Sequence, residues 1–198
     1  MANPTTRNLI VEKAEALFYE GGFEATSFAD IASAVGISRG NFYHHFKSKD
    51  DILDAVISRR LETTRAMLER WEAEDGEPRR RIRAFIHILI SNRAKIMLHG
   101  CPVGTLCSEL AKLDHHLMSR ATEIFMLFRN WLARAFSDLG AGDRSDDLAL
   151  QVLTWSQGVA VMASAFRDET YIRKEVAGMD DWLAALPETI PSLLPRSL

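Results

Sequence analysis

Every long segment of this chain repeats its apolar residues at helical spacing, and none alternates apolar and polar residues between turns as a half-buried strand does. The fold class is therefore all-α. Ile10, Ala14, Leu17 and Phe18 share one face of a helix over residues 6–19, which Gly21 and Gly22 stop. Ser27 caps a second helix with Phe28, Ile31, Ala32 and Val35 on its apolar face; Asp30 sits at its third position and Gly36 at its end. Ser38 caps a short third helix over 39–45, and Ser48 caps a long fourth one. Gly76, Glu77 and Pro78 make the first convincing break, yet the domain boundary is placed inside the long helix. That gives an N-terminal domain at 1–58 and an all-helical remainder at 59–198. Further helices are expected at 79–98, 105–113, 117–139 and 146–167, then a segment from about Tyr171 that Pro187, Pro191 and Pro195 fragment.

A net charge of -3 argues at first against a nucleic-acid partner, because phosphate binding needs clustered Lys and Arg. Its distribution matters more. Between Thr26 and Lys49 the bases Arg39, Lys47 and Lys49 face a single acid, Asp30, with His44 and His45 beside them. At 47% hydrophobic residues the chain can bury a core. The N-terminus lacks a basic stretch followed by an apolar one, and no apolar run nears the roughly 20 residues a membrane span takes. A soluble, cytoplasmic protein with no membrane partner is expected. Cys101 and Cys107 are too few for a disulfide framework and lack a zinc spacing.

The informative stretch runs from Phe28 to Phe46: an amphipathic helix, a turn at Gly36-Ile37-Ser38, and a short helix whose outward residues are Arg39, Gly40, Asn41, Tyr43 and His44. This is helix-turn-helix architecture, in which the first helix braces the second for the major groove of duplex DNA. Arg and Asn make bidentate contacts to guanine and adenine edges, while Tyr, His and Ser reach phosphates. His44 and His45 are poor joint metal ligands, since neighbours on a helix point about 100° apart. Neither metal nor cofactor is expected.

The run from Gly36 to Lys49, with Phe23-Glu24-Ala25-Thr26-Ser27 and Asp30-Ile31-Ala32 before it, resembles the signature of the TetR family. The resemblance implies a homodimeric repressor that binds a palindromic DNA operator and releases it when a small-molecule effector enters the C-terminal domain. It suggests Thr26, Ser27, Ser38, Tyr43, His44 and Lys49 for phosphates, and Arg39, Gly40 and Asn41 for base edges. Asn41 departs from the small hydroxyl residue common at its position.

In the remainder, Leu148, Val152, Trp155, Val159, Met162 and Phe166 form one apolar stripe, and Leu153, Ala160 and Ala163 a second. One side can pack inside the subunit and the other against a partner. Phe85, Ile88, Phe125, Phe128, Trp131 and Trp155 are candidates to line an effector pocket, or plain core; His99 is a polar candidate. Gly100-Cys101-Pro102 to Leu110 is similar to the Gly-Cys loop of electrophile-sensing TetR-type repressors, which makes Cys101 a candidate sensor beside its reading as a packed thiol. No G-x-S-x-G, H-E-x-x-H or C-x-x-C occurs, so an enzyme is not expected. The rivals are an all-α enzyme or carrier with a vestigial helix-turn-helix, and an activator using the same head.

Overall fold

The structure is a computed structural model that describes residues 5–187 apart from Asp75; the Arg39 side chain and the prolines at 191 and 195 also lie outside the described residues. Its elements are α1 (Thr6–Gly21), α2 (Phe28–Val35), α3 (Arg39–His45), α4 (Lys49–Glu74), α5 (Pro78–Ile86), α6 (Ile88–Ser91), α7 (Arg93–His99), α8 (Pro102–Lys112), α9 (Met118–Asp138), a 3-10 turn at Gly142–Arg144, α10 (Ser145–Phe166) and α11 (Glu169–Ala185). The all-α class holds.

Local chemistry sets most of these boundaries. Ser27 and Asp30 form a reciprocal capping box at the start of α2, and Gly36 ends it in the left-handed region (φ 75°), its N–H bonded to Ala32 O. Ser38 Oγ accepts from the Asn41 N–H to start α3. Pro78 stands in the first turn of α5, where its missing N–H is no loss. The single helix expected at 79–98 is instead three pieces. At the joints Ser91 Oγ donates to His87 O and Asn92 Nδ2 to Ile88 O, while both carbonyls keep their backbone bonds from the Ser91 and Asn92 N–H groups at 3.1 Å. By contrast, α11 runs unbroken to Ala185, just before Pro187.

By packing, the chain divides into one unit of residues 1–64 and 102–124, and another of 65–101 and 125–198. This differs from a cut at residue 58, because α8 and the start of α9 pack in the first unit. There α1 carries α2 and α8, and Ile10, Ala14, Phe18, Ile31, Phe42, Ile52 and Leu53 fill the core. In the second unit α10 packs on α7 and α11, and α11 on α5 and α6. Arg129 pairs with Asp146, and Arg81 Nη2 lies 2.6 Å from Asp138 Oδ2.

One expectation needs correcting. Gly142–Phe166 is, by length and composition, apolar enough to cross a bilayer. The helix is apolar on several sides at once: Leu148, Ala149, Val152, Val159 and Ala163 are buried, while Leu150, Val161, Met162 and Phe166 are exposed. Met162 and Phe166, assigned above to the same stripe as Leu148, therefore face outward.

Candidate DNA-binding site

The turn at 36–38 joins two helices of different kinds. α2 turns Ile31 and Ala32 into the core. Among the described side chains of α3, Phe42 is the buried one, 1% exposed, and it meets Phe28 edge-on at 5.2 Å. Its other residues Gly40, Asn41, Tyr43 and His44 are exposed. Tyr43 leans on Phe28 at 5.7 Å, and Ser27, Phe28, Ala29, Ala32, Phe42 and Tyr43 line an open hollow of about 430 Å³. A Cβ added at Gly40 would meet nothing within 4 Å, so nothing in the protein itself calls for glycine there. Arg39 opens the same helix; its side chain lies outside the described residues.

The flanking polar residues are more engaged than their sequence positions suggest. Thr26 is buried and its hydroxyl donates to Gly22 O at 2.7 Å, so it braces the turn and does not face an outside ligand. Ser27 Oγ donates to Asp30 Oδ2 at 2.6 Å and remains exposed; Ser38 is exposed as well. Lys49 Nζ donates to Phe23 O and Glu24 O, each at 3.1 Å, and lies 4.4 Å from the centre of the Phe23 ring. Two of its three donors are committed, and Nζ also lies 3.9 Å from the Glu24 carboxylate. The Ser27 hydroxyl and N–H hold the Asp30 carboxyl below the usual carboxylate range, and the Ser48 hydroxyl and N–H do the same for Asp51 at the start of α4. Both helix starts are fixed by ionised carboxylates.

Sequence reasoning missed two residues here. Lys47, exposed just beyond α3, donates from Nζ to Tyr43 O at 2.8 Å; its place in the basic cluster was the available signal. Glu109, on α8, accepts from the Phe23 and Glu24 N–H groups, both at 2.9 Å. It lies 85 and 86 residues from those partners, so no local pattern announces it.

Of the pocket candidates, Phe85, Phe128 and Trp131 are buried, with Phe85 and Phe128 ring centres 5.4 Å apart and Trp131 5.7 Å from Trp71. Ile88, Phe125, Trp155, His99 and Cys101 are partly exposed. Among the described residues the buried Trp131 Nε1 has no hydrogen-bond partner. Cys101 immediately precedes Pro102, the first residue of α8, and Cys107 is buried within that helix.

A braced helix, a glycine-ended turn and a short helix with a free polar face define a helix-turn-helix protein, the class that reads duplex DNA. The comparisons agree. Residues 10–56 match the model of bacterial regulatory proteins of the tetR family, and residues 78–176 that of the LmrA/YxaF-like transcriptional regulator C-terminal domain. An HTH-type transcriptional regulator in the lacX 3' region of Lactococcus lactis subsp. lactis is 31% identical over 68% of this chain and 64% of its own length. The HTH-type transcriptional repressor DhaR of Mycobacterium sp. strain GP1 is 27% identical over 67% and 64%. The chain thus spans 64% of the length of each of these relatives. A TetR transcriptional regulator from Legionella pneumophila superposes with a TM-score of 0.82 at 27% identity, covering 92% of this chain and 99% of that one. The chain belongs to the TetR family of transcriptional regulators, with an LmrA/YxaF-like C-terminal domain. That is a family of regulators and not of enzymes.

Proposed function

We propose that the protein is a homodimeric repressor that binds a palindromic DNA operator through α3 and releases it when a small molecule enters the C-terminal domain. The observation that carries this reading is the exposed face of α3, where Gly40, Asn41, Tyr43 and His44 are open to solvent on a helix whose start is capped and whose base is packed on α2. On this reading Arg39, Gly40 and Asn41 approach base edges, and Ser27, Ser38, Tyr43, His44 and the remaining Lys49 donor hold phosphates. Repression is the role of the similar repressor DhaR. The protein acts in the cytoplasm, where its operator is.

Dimerisation accounts for the outer side of α10 and for two glycines. Val161 is 65% exposed and Phe166 59%, a wide apolar face for water to cover. Gly158 in α10 and Gly178 in α11 have open space where a Cβ would stand, yet a mid-helix glycine costs about 0.8–1.0 kcal/mol relative to alanine. A partner helix approaching closely gives both a reason.

For the effector, the buried Trp131 Nε1, without a hydrogen-bond partner and with Trp71 beside the ring, favours a largely apolar molecule with one hydrogen-bond acceptor. Cys101, partly exposed, is a second entry for the signal: it stands at the start of the helix that carries Glu109 to the turn before α2. Its modification by an electrophile then lowers operator affinity in the wild type and not in Cys101→Ser.

The test of the whole reading is fluorescence anisotropy at physiological salt, comparing a duplex recovered by in vitro selection with a scrambled one. A preference of roughly 10³ or more is expected for a specific regulator. Equal affinity for the two duplexes defeats it.

A further inference from the structure

The turn between α8 and α9 brings two histidines to the start of α4. Beyond α8, Asp114 adopts the left-handed region (φ 49°) and the His115 N–H closes back on Leu110 O at 3.0 Å. His115 and His116 leave this turn with their rings stacked, centroids 4.6 Å apart. Asp50, in the first turn of α4, faces them: Oδ1 lies 3.4 Å from His115 Nε2 and Oδ2 3.9 Å from His116 Nδ1. The three ligand atoms lie within 4.8 Å of one another. It is Asp51 that closes the cap with Ser48, at 2.9 and 3.0 Å, which leaves the Asp50 carboxylate turned to the imidazoles. We propose that Asp50, His115 and His116 bind one divalent first-row transition ion of the Zn2+ type, tying the α8–α9 turn to the start of α4.

The donor set decides the class of ion. Imidazole suits zinc, nickel and copper, whereas magnesium and calcium take oxygen ligands, so two rings and one carboxylate select against the latter. Three protein ligands leave a further position for water. Bonds of about 2.0–2.1 Å put tetrahedral ligand atoms roughly 3.3 Å apart, so the ion draws this set together by about 1 Å. His116, its side chain 68% exposed, is the ligand that moves, giving up part of its stacking on His115; His115, 13% exposed and edge-on to Phe23 at 5.2 Å, stays as the anchor.

Two features work against the ion and set its affinity. The positive end of the α4 dipole opposes a cation, which the Asp50 and Asp51 carboxylates offset. His115 Nδ1 accepts from the Leu117 N–H at 3.2 Å, so the neutral ring carries its proton on Nε2. Coordination through Nε2 moves that proton to Nδ1 and gives up the Leu117 contact. Both costs weaken the site, so it holds the ion reversibly and is not a permanent structural zinc.

The experiment is isothermal titration of the tag-free full-length protein with ZnCl2, with MgCl2 as control, on the wild type, His116→Ala, Asp50→Asn and the double variant His44→Ala/His45→Ala. About one Zn2+ per chain with micromolar Kd is expected for the wild type and the double variant, and at least a tenfold weaker Kd for His116→Ala and Asp50→Asn, with no heat from MgCl2. Co2+ substitution gives a second readout: a visible absorption band in the wild type that His116→Ala removes. His116 is exposed, so its loss does not threaten folding. Wild-type affinity retained in His116→Ala and Asp50→Asn, binding lost only with His44 and His45, or no Zn2+ heat at all overturns the proposal. These outcomes are independent of operator binding, so they separate this site from the regulatory reading on which its biological use rests.

Discussion

α3 and α10 both present a free face, and the two faces are opposite in chemistry. On α3 the one large apolar side chain, Phe42, is turned inward to 1% exposure, and what remains outside is glycine, amide, phenol and imidazole. On α10 the inside is full and the outside is apolar too, with Leu150 at 46%, Val161 at 65% and Phe166 at 59% exposure. A polar face backed by a packed one suits a charged, hydrated partner that is bound and released. An apolar face on a helix already buried on its other side suits a partner that stays, because leaving it in water loses roughly 25 cal/mol for every Å². On the proposed reading, the first is a reversible surface for phosphates and bases and the second a permanent one for a copy of the chain.

Substitutions that swap the character of these faces should have the largest effects. Val161→Glu places a charge in the middle of the proposed dimer interface; burying it unpaired costs on the order of 3–5 kcal/mol. Sedimentation at micromolar concentration should then show a monomer, with operator binding lost. A dimer that survives removes α10 from the interface. Next in size, Glu109→Ala strips the Phe23 and Glu24 N–H groups of their acceptor, at about 1–3 kcal/mol. Thermal unfolding should begin earlier, and operator affinity should fall although Glu109 touches no DNA.

Smaller effects sharpen the contrast. Gly40→Ala fits the helix and the open space around it, so stability should hold or rise by about 0.4–1 kcal/mol while operator affinity drops, since only DNA needs the gap. Unchanged affinity would mean that α3 does not approach the bases at this point. Asp30 offers the subtlest test. Its carboxyl is held below its ordinary value of 3.8, so its contribution to stability is present above that pH and is lost as pH falls through the lower folded value. Acid unfolding monitored below pH 4 should be less steep in Asp30→Asn than in the wild type.

What the sequence made legible is what local chemistry decides. The caps at Ser27 and Ser38, the glycine stop at Gly36 and the periodic faces of α1 and α2 each depend on residues three or four positions apart, and those helices lie close to where the pattern put them; so does α10, although its expected stripe splits between inside and outside. The joints at His87 and Asn92 escaped, because the apolar periodicity continues across them. Contacts across the chain escaped altogether. Thr26 reads as a phosphate ligand until its hydroxyl is seen on Gly22 O, and Lys49 reads as a free cation until Phe23 and Glu24 claim two of its donors. Likewise His115 and His116 acquire chemical meaning only once α8 delivers them to Asp50, 65 residues away.

The central claim is that α3 reads base edges. Duplex DNA should be selected in parallel from one random pool by the wild type and by Asn41→Ala, and the enriched sequences aligned. The wild type should enrich a palindrome with half-sites about 34–36 Å apart or a multiple of that. Asn41→Ala should lose about 1–3 kcal/mol of preference at a single base pair in each half-site and keep the rest. Identical enriched sequences from the two proteins, or none from the wild type, would contradict the account.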